Sequence, residues 1–405
     1  MTVPKHWQIV ELREVAFVQT GFAKGKVISG ESVRLPYLRV ANVQDGFLDL
    51  SEIKEVEVAP YEIERFRLQI GDVLLTEGGD FDKLGRGTLW RGEITNCLHQ
   101  NHIFAVRTSR EVLDPLFFSY QTASPYGRKY FLECSKQSTN LASINSTQLK
   151  EFPVLLPPLP EQRAIATILS TWDEAIMLTE RLIAALRRRK QALMQMLLTG
   201  EVRFPGFEGA WDRLTVEEAS KTMESGGTPS TQMKAYWNGT IPWITGADFE
   251  DQKVSQVRRY ITTEAVEKSS TKIVSKGNIL LVTRTGVGKM ALAPFDTAIS
   301  QDITGITPNE EIITPEYLIS CLSWTIPRLA RFNQGTSING ITRDDLKMHE
   351  IAVPSLKEQE KITDVLQVCD AQIEQSNRIL ISLLAEKRGL MQQLLTGAIR
   401  VGVDE

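Results

Sequence analysis

Sulfur is scarce in this chain: 405 residues hold four cysteines, Cys97, Cys134, Cys321 and Cys369, and no two of them stand in a CxxC spacing. That leaves no disulfide framework to read, and the four are expected to be reduced, buried thiols. Long apolar runs are missing as well, and the opening MTVPKHWQIVELREV lacks the basic and apolar blocks of a signal peptide. These absences predict a soluble, cytoplasmic protein with no membrane partner. Surplus positive charge is absent too. The formal net charge is −4 and the isoelectric point about 5.8. Such a molecule does not bind nucleic acid by charge alone, so any site of that kind must be local or completed by a partner.

What is present is a repeat. LPEQRAIATILSTWDEAIMLTERLIAALRRRKQALMQMLLTG, from Leu159 to Gly200, returns as LKEQEKITDVLQVCDAQIEQSNRILISLLAEKRGLMQQLLTG, from Leu356 to Gly397. Glu161 to Glu358 and Gly200 to Gly397 are both steps of 197, so nothing is inserted or lost between them. The first copy carries Ile165, Leu169, Trp172, Ile176, Ile183, Leu186, Leu193 and Leu197 at alternating steps of three and four. The second carries Ile362, Leu366, Cys369, Ile373, Leu380, Leu383, Leu390 and Leu394 at the same offset. This is a heptad seam, and two long helices with matching seams are expected to pack on each other. At 1.5 Å rise per residue each helix spans roughly 55 to 60 Å. Thr179 and Ser376, and Lys190 and Lys387, interrupt both seams at equivalent places, where polar residues cost stability and can fix register. Pro160 marks one helix start, and Gly200 and Gly397 stand where left-handed C-terminal caps are expected. Helices merely buried in one large core would have no reason to repeat residue for residue across a whole intervening domain.

The repeat divides the chain into a globular unit over residues 1–156, a helix over 157–203, a second globular unit over 204–353 and a second helix over 354–400. In the first unit PYLRVANV, GDVLLT and HIFAVR read as strands between Gly, Asp and Asn turns, and the stretch from Pro115 reads as helical. The fold class is therefore α+β, with mixed α and β units. The second unit follows the same plan more loosely. IPWITGADF answers LPYLRVANV and GNILLV answers GDVLLT at an offset of 206, Gln301 answers Gln100 at 201, and the offset settles at 197 from Thr336 onward. Constant helices between variable loops suit two different readers presented on one frame, as two half-sites on a duplex require.

Catalytic motifs do not assemble. Gly286, Val287 and Gly288 with Ala291 form a GxGxxA fragment without an acidic ribose partner, and Met290 stands where a phosphate loop needs Ser or Thr. His99 and His102 make an HxxH pair with no Cys or carboxylate companions, so structural histidines are favoured and no metal is expected. Glu52-Ile53-Lys54 with Asp45 is a faint nuclease-like ExK, and no NPPY or DPPY is present. The chain is expected to do no chemistry and to hold no cofactor itself.

Binding residues are better placed. Lys83 and Arg86 lie in the glycine-rich EGGDFDKLGRGTLW, and Arg284 and Lys289 in TRTGVGKMA. Glycine permits close approach to a phosphate backbone, and Arg or Lys can pair with phosphate or guanine edges. Gln100 and Asn101, matched by Gln301 and Asp302, are candidate base readers. Thr228, Lys234 and Tyr236 are exposed-loop types in ESGGTPSTQMKAYWNG. The Arg187 to Lys190 run lies on the helix and suits a solvated face or a partner contact.

PPLPEQRAIATILSTWDEAI, its echo VPSLKEQEKITDVLQVCDAQI, the paired LLTG ends and ESGGTPSTQMKAYWNGTIPWITGADF together resemble the specificity (HsdS) subunit of type I restriction-modification systems. The resemblance spans essentially the whole chain. It implies two target-recognition domains, each reading one half of a bipartite DNA site, held apart by two conserved helices packed as an antiparallel coiled coil with pseudo-two-fold symmetry. It further implies double-stranded DNA, two modification subunits and restriction subunits as partners, with S-adenosylmethionine, ATP and magnesium on those partners. No short tandem repeat follows the central LLTG, so the spacer is expected to be fixed. The rival readings are a specificity subunit working with fused methyltransferase-nuclease subunits, a coiled-coil adaptor without a DNA role, and a self-sufficient methyltransferase.

Overall fold

The structure, a computed structural model, describes residues 3–402 apart from 24, 26–29, 80–83, 138–141, 251, 285–286 and 333–341. The chain divides into two compact units, Met1–Glu180 with Arg378–Glu405, and Arg181–Asn377. Each unit contains one globular head, the first part of the long helix that follows it, and the last part of the other long helix.

In the first unit the central sheet has four antiparallel strands in the order Ala16–Thr20, Ile103–Thr108, Val73–Thr76 and Gly87–Leu89. Val73–Thr76 is buried at every position, as its unbroken apolar run requires. A second sheet sets Val33–Leu38 between antiparallel Lys54–Val58 and parallel Leu98–His99. A ribbon of Gln8–Glu11 with Pro153–Leu156 leads directly into the first long helix. The helical stretch from Pro115 is two helices, Pro115–Ala123 and Pro125–Cys134, because Pro125 cannot donate into a continuing helix. Asp114 caps the first through the Leu116 and Phe117 amides, and Ser124 caps the second through Gly127.

The second unit reproduces this plan. Its central sheet runs Ser220–Ser225, Ile303–Pro308, Ile279–Val282 and Met290–Leu292. The companion sheet runs Arg259–Ile261, Ile241–Ile244, Thr297–Ile299 and Lys272–Val274, and Asp212–Thr215 pairs with Glu350–Val353. One longer helix, Pro315–Phe332, stands where the first unit has two.

The long helices run Leu159–Leu198 and Leu356–Leu394, 40 and 39 residues. Gly200 and Gly397 terminate them with φ of 73° and 71°, the left-handed conformation expected. The seam is less uniform than its periodicity suggests. Ile165, Leu169, Ile176, Ile183, Leu197, Ile362, Leu366 and Leu394 are buried, whereas Trp172, Leu186, Leu193, Ile373, Leu380, Leu383 and Leu390 are half-buried. The ends are the best-buried parts because the heads enclose them. Ile165 and Leu169 share a core with Phe118, Phe152, Leu394 and Leu395, and Ile362 and Leu366 share one with Leu197, Leu198, Tyr317 and Leu322.

These shared cores place the start of each helix against the end of the other, so the helices pair antiparallel. The interrupting lysines confirm the register. Lys190 Nζ lies 2.6 Å from Asp370 Oδ1 in the second unit, and Lys387 pairs with Asp173 in the first. Within the first unit Leu169 meets the core of Leu394 and Asp173 meets Lys387, and within the second Leu366 meets the core of Leu197 and Asp370 meets Lys190, so in each unit one helix advances as the other retreats. Thr179 and Ser376 satisfy themselves within their own helices, through the Ala175 and Gln372 carbonyls.

Candidate nucleic-acid interface

Both heads build the same feature between their two sheets. In the first, the chain leaves Ala16–Thr20 at Gly21 and passes so close to the turn before Ile103 that a Cβ on Gly21 would lie 2.2 Å from the His99 carbonyl oxygen. In the second, a Cβ on Gly226 would lie 2.1 Å from the Ile299 carbonyl oxygen. Only glycine permits that approach. Each turn is then fixed by matching bonds: Gln100 N donates to Leu38 O at 2.9 Å, and Ser300 N to Ile244 O at 3.0 Å. The offset here is 200. Gln100 is therefore the counterpart of Ser300, and Asn101, not Gln100, is the counterpart of Gln301. The one-residue slip came from matching like side chains across an insertion.

The candidate readers divide into internal and outward groups. Gln100 Oε1 accepts from Val40 N at 3.2 Å while Arg86 Nη2 donates to Val40 O at 3.2 Å, so both hold the short turn Val40–Asn42. Lys289 Nζ likewise donates to Phe249 O at 3.1 Å in the second head. Tyr236 is buried beside Trp243, Ile261 and Ala298, so it belongs to the core and not to an exposed loop. Asn101 is half-buried, with Nδ2 3.5 Å from His102 Nε2, and His102 in turn pairs with Glu77. Thr228 donates to Gln301 Oε1, and both are exposed, as are Lys234 and Arg284. Lys83 lies outside the described residues. The structure thus brings Thr228 and Gln301 together at the turn where the first head presents Asn101 and His102.

Other sequence motifs resolve into structure. His99 is buried with Nδ1 3.2 Å from Phe66 O, and burial, against weaker help from the Gln19 and Phe66 backbone, lowers its pKa from 6.5 to about 4. His102, by contrast, is exposed and pairs with Glu77. Glu52 pairs with Arg39 at 3.1 Å, and Asp45 pairs with Arg128, so the two carboxylates of the ExK fragment serve different arginines. Among the described residues, no three His, Cys, Asp or Glu gather as a metal site, and no helix is long and apolar enough to cross a membrane.

Several key residues were not singled out in the sequence. Gln162, fully buried, donates to Val112 O and Pro157 O at 2.8 and 2.9 Å and accepts from Asp114 N at 2.8 Å. Gln359 makes the same three bonds to Ile312 O, Pro354 O and Thr314 N, each at 2.8 Å. Beside them, buried Glu358 takes a two-pronged bond from Arg203 at 2.9 and 2.8 Å and one from Trp211 at 3.2 Å. Buried Glu161 takes Trp7 at 3.3 Å and His6 at 3.0 Å, with Arg400 at 3.8 Å. Arg203 and Arg400 are themselves 197 apart and follow the two LLTG ends. The repeat offset was the signal that could have found them.

Each unit encloses the start of one long helix and the end of the other within one head, on a plan built twice along the chain. A family model described as the type I restriction modification DNA specificity domain matches residues 4–188 and again 210–385. The chain belongs to that family of specificity subunits. A Methanocaldococcus jannaschii chain, provisionally named the MjaX type I restriction enzyme specificity subunit, is 27% identical over 98% of this chain and 95% of its own length. The EcoR124I/EcoR124II specificity subunit of Escherichia coli is 30% identical over 56% of this chain and 57% of its own length. A solved chain from work on assembly and conformational transition of the type I R-M system superposes with TM-score 0.66 at 20% identity, over 98% of this chain and 100% of that one. The S subunit of a type I system from M. genitalium gives 0.56 at 14%, over 97% and 98%. These two likenesses show the shared fold.

Proposed function

We propose that this chain selects the DNA target of a type I restriction-modification complex, each head reading one half of a bipartite duplex site. The observation that carries it is the combination of duplicated anchoring and unlike reading turns. The Gln162 and Gln359 networks are equivalent bond for bond beyond the ends of strands Ile103–Thr108 and Ile303–Pro308, while the turns that open those strands offer Asn101 with His102 in one head and Gln301 with Thr228 in the other. Identical frames with different polar tips are what two unlike half-sites need.

In this reading the chain is the non-catalytic member of the complex. Two modification subunits and the restriction subunits dock on it in the cytoplasm. S-adenosylmethionine, ATP and magnesium are held by those partners, which also supply much of the positive surface that a chain of net charge −4 lacks. Mapping methylated adenines in DNA from cells expressing this chain with its modification subunit tests the reading. Exchanging residues 204–353 with a relative's should change one half of the methylated motif. A change in both halves would break the assignment of one head to one half-site.

A further inference from the structure

The second head carries a groove that the reading turns do not account for. It has a volume of about 730 Å³ and is lined by Thr231, Trp237, Asn238, Arg258, Arg259 and Tyr260. Trp237 and Trp243 meet edge to face with ring centres 5.1 Å apart, and the Arg259 guanidinium carbon lies 5.9 and 5.7 Å from those two centres. The guanidinium lies beside both indoles and, among the described residues, takes no carboxylate. Its neighbour is spent internally: Arg258 Nε bonds to buried Asp248 at 2.6 Å. Burial pushes the Asp248 carboxyl up, but Arg258 and Thr245 more than offset this and hold it below the ordinary carboxylate value, so that pair stays ionised. Arg259 is thereby the charge left facing the groove, beside Tyr260, which is 44% exposed.

The groove adjoins the reading turn. Trp237 Nε1 donates to Ser230 O and Trp243 Nε1 to Gly227 O, each at 3.1 Å, on the same loop that places Thr228 against Gln301. Among its described residues the first head builds this position differently: Lys54, paired across strands with Tyr37 as Arg259 is with Trp243, lies 3.5 Å from Glu52, and Glu55 stands at the register position of Tyr260. The aromatic and arginine cluster is therefore not a demand of the fold.

We propose that this groove is where the second head grips its half-site, with the Arg259 fork pairing to a two-acceptor face of duplex DNA. Two such faces exist, the O6 and N7 edge of guanine and a backbone phosphate. The proposal rests on the DNA-reading function above. The probe is a duplex bearing the motif that the wild-type complex methylates, titrated with the assembled complex over a range of salt concentrations. Arg259→Ala should weaken binding roughly tenfold or more. A guanine contact relaxes discrimination at one position of the second half-site, and Arg259→Lys does not restore it. A phosphate contact weakens all sequences alike, lowers the salt slope by about 1, and is largely restored by Arg259→Lys. Tyr260→Ala, at an exposed position that leaves the core intact, should weaken binding several-fold by loss of a hydroxyl contact to the duplex backbone, and it keeps the test decisive should Arg259→Ala fail to assemble. Wild-type affinity, salt slope and motif in both Arg259→Lys and Tyr260→Ala would overturn the proposal. A wild-type complex with no bipartite motif would instead sink the function on which it rests.

Discussion

Two glutamines set the terms at the scale of single residues. Gln162 and Gln359 each satisfy two carbonyls and one amide inside a core, and a polar group left unmade there costs about 1 to 3 kcal/mol. Gln162→Ala should destabilise the first unit by about 3 kcal/mol or more, and Gln359→Ala the second, each leaving the other unit's amides protected when hydrogen exchange is followed peptide by peptide. His99 supplies a pH dependence. Above pH 6.5 it is neutral in both folded and unfolded chains and adds no slope; as pH falls toward 4, only the unfolded chain gains a proton. The first unit should lose up to about 3 kcal/mol across that window. Urea unfolding at stepped pH should show the loss, and His99→Leu should flatten it. The unaccompanied HxxH pair already favoured a structural His99, but not the pH dependence that its burial brings, and the glutamines' role was not legible at all. The glutamines stood in plain sight in the repeated EQ, but two of the three partners of each, the Val112 carbonyl and Asp114 amide for Gln162 and the Ile312 carbonyl and Thr314 amide for Gln359, lie 45 to 50 residues away, which no local pattern reports. Tyr236 was misplaced for a related reason: a loop-rich neighbourhood conceals an aromatic turned into the core.

At the scale of elements, periodicity foresaw the two helices, their ends and their mutual pairing, because a three-four spacing and a terminal glycine are local signals. It did not foresee that the seam tightens toward its ends. A heptad describes contact with one partner, whereas Leu366 is enclosed by the helix end around Leu197 and by the head around Leu322. Leu366→Ala should cost about 3 kcal/mol, as a cavity in a packed core does, while Leu383→Ala, half-buried, should cost about 1 kcal/mol or less. Equal losses in chemical denaturation would mean that the helices pair with uniform strength and that the heads add nothing to their ends. The loops were the least legible elements. The slip of one residue at Gln301 shows the reason: insertions hide in turns, and only hydrogen-bond equivalence, Gln100 with Ser300, fixes the true correspondence.

Across the whole chain, the duplication is cyclic as well as tandem. Arg203, just past the first helix, closes on Glu358 beside Trp211; Arg400, just past the second, lies by Glu161 beside Trp7. In the second unit one continuous segment, Gly200 to Trp211, supplies both the arginine and the tryptophan. In the first unit the same two groups come from opposite ends of the sequence, yet a Cβ on Gly397 would lie 2.4 Å from Pro4. The two junctions therefore do the same physical work, and the covalent link matters less than the collar it delivers. A permuted chain, opened between Glu208 and Gly209, which are exposed, and closed by a short flexible linker from beyond Arg400 to Pro4, keeps the bonds of Arg203 and Trp211 to Glu358 and places only the bond from Arg203 to the Gly209 carbonyl oxygen at the opening. Ring closure over so short a span costs little entropy, and the opened loop holds no buried backbone to lose. The permuted chain should fold with both heads intact, and with the modification subunits it should methylate the unaltered motif. Methylation confined to a new motif, or a second unit that melts while the first survives, would show that the Gly200 to Trp211 connection does more than carry Arg203 and Trp211 to Glu358.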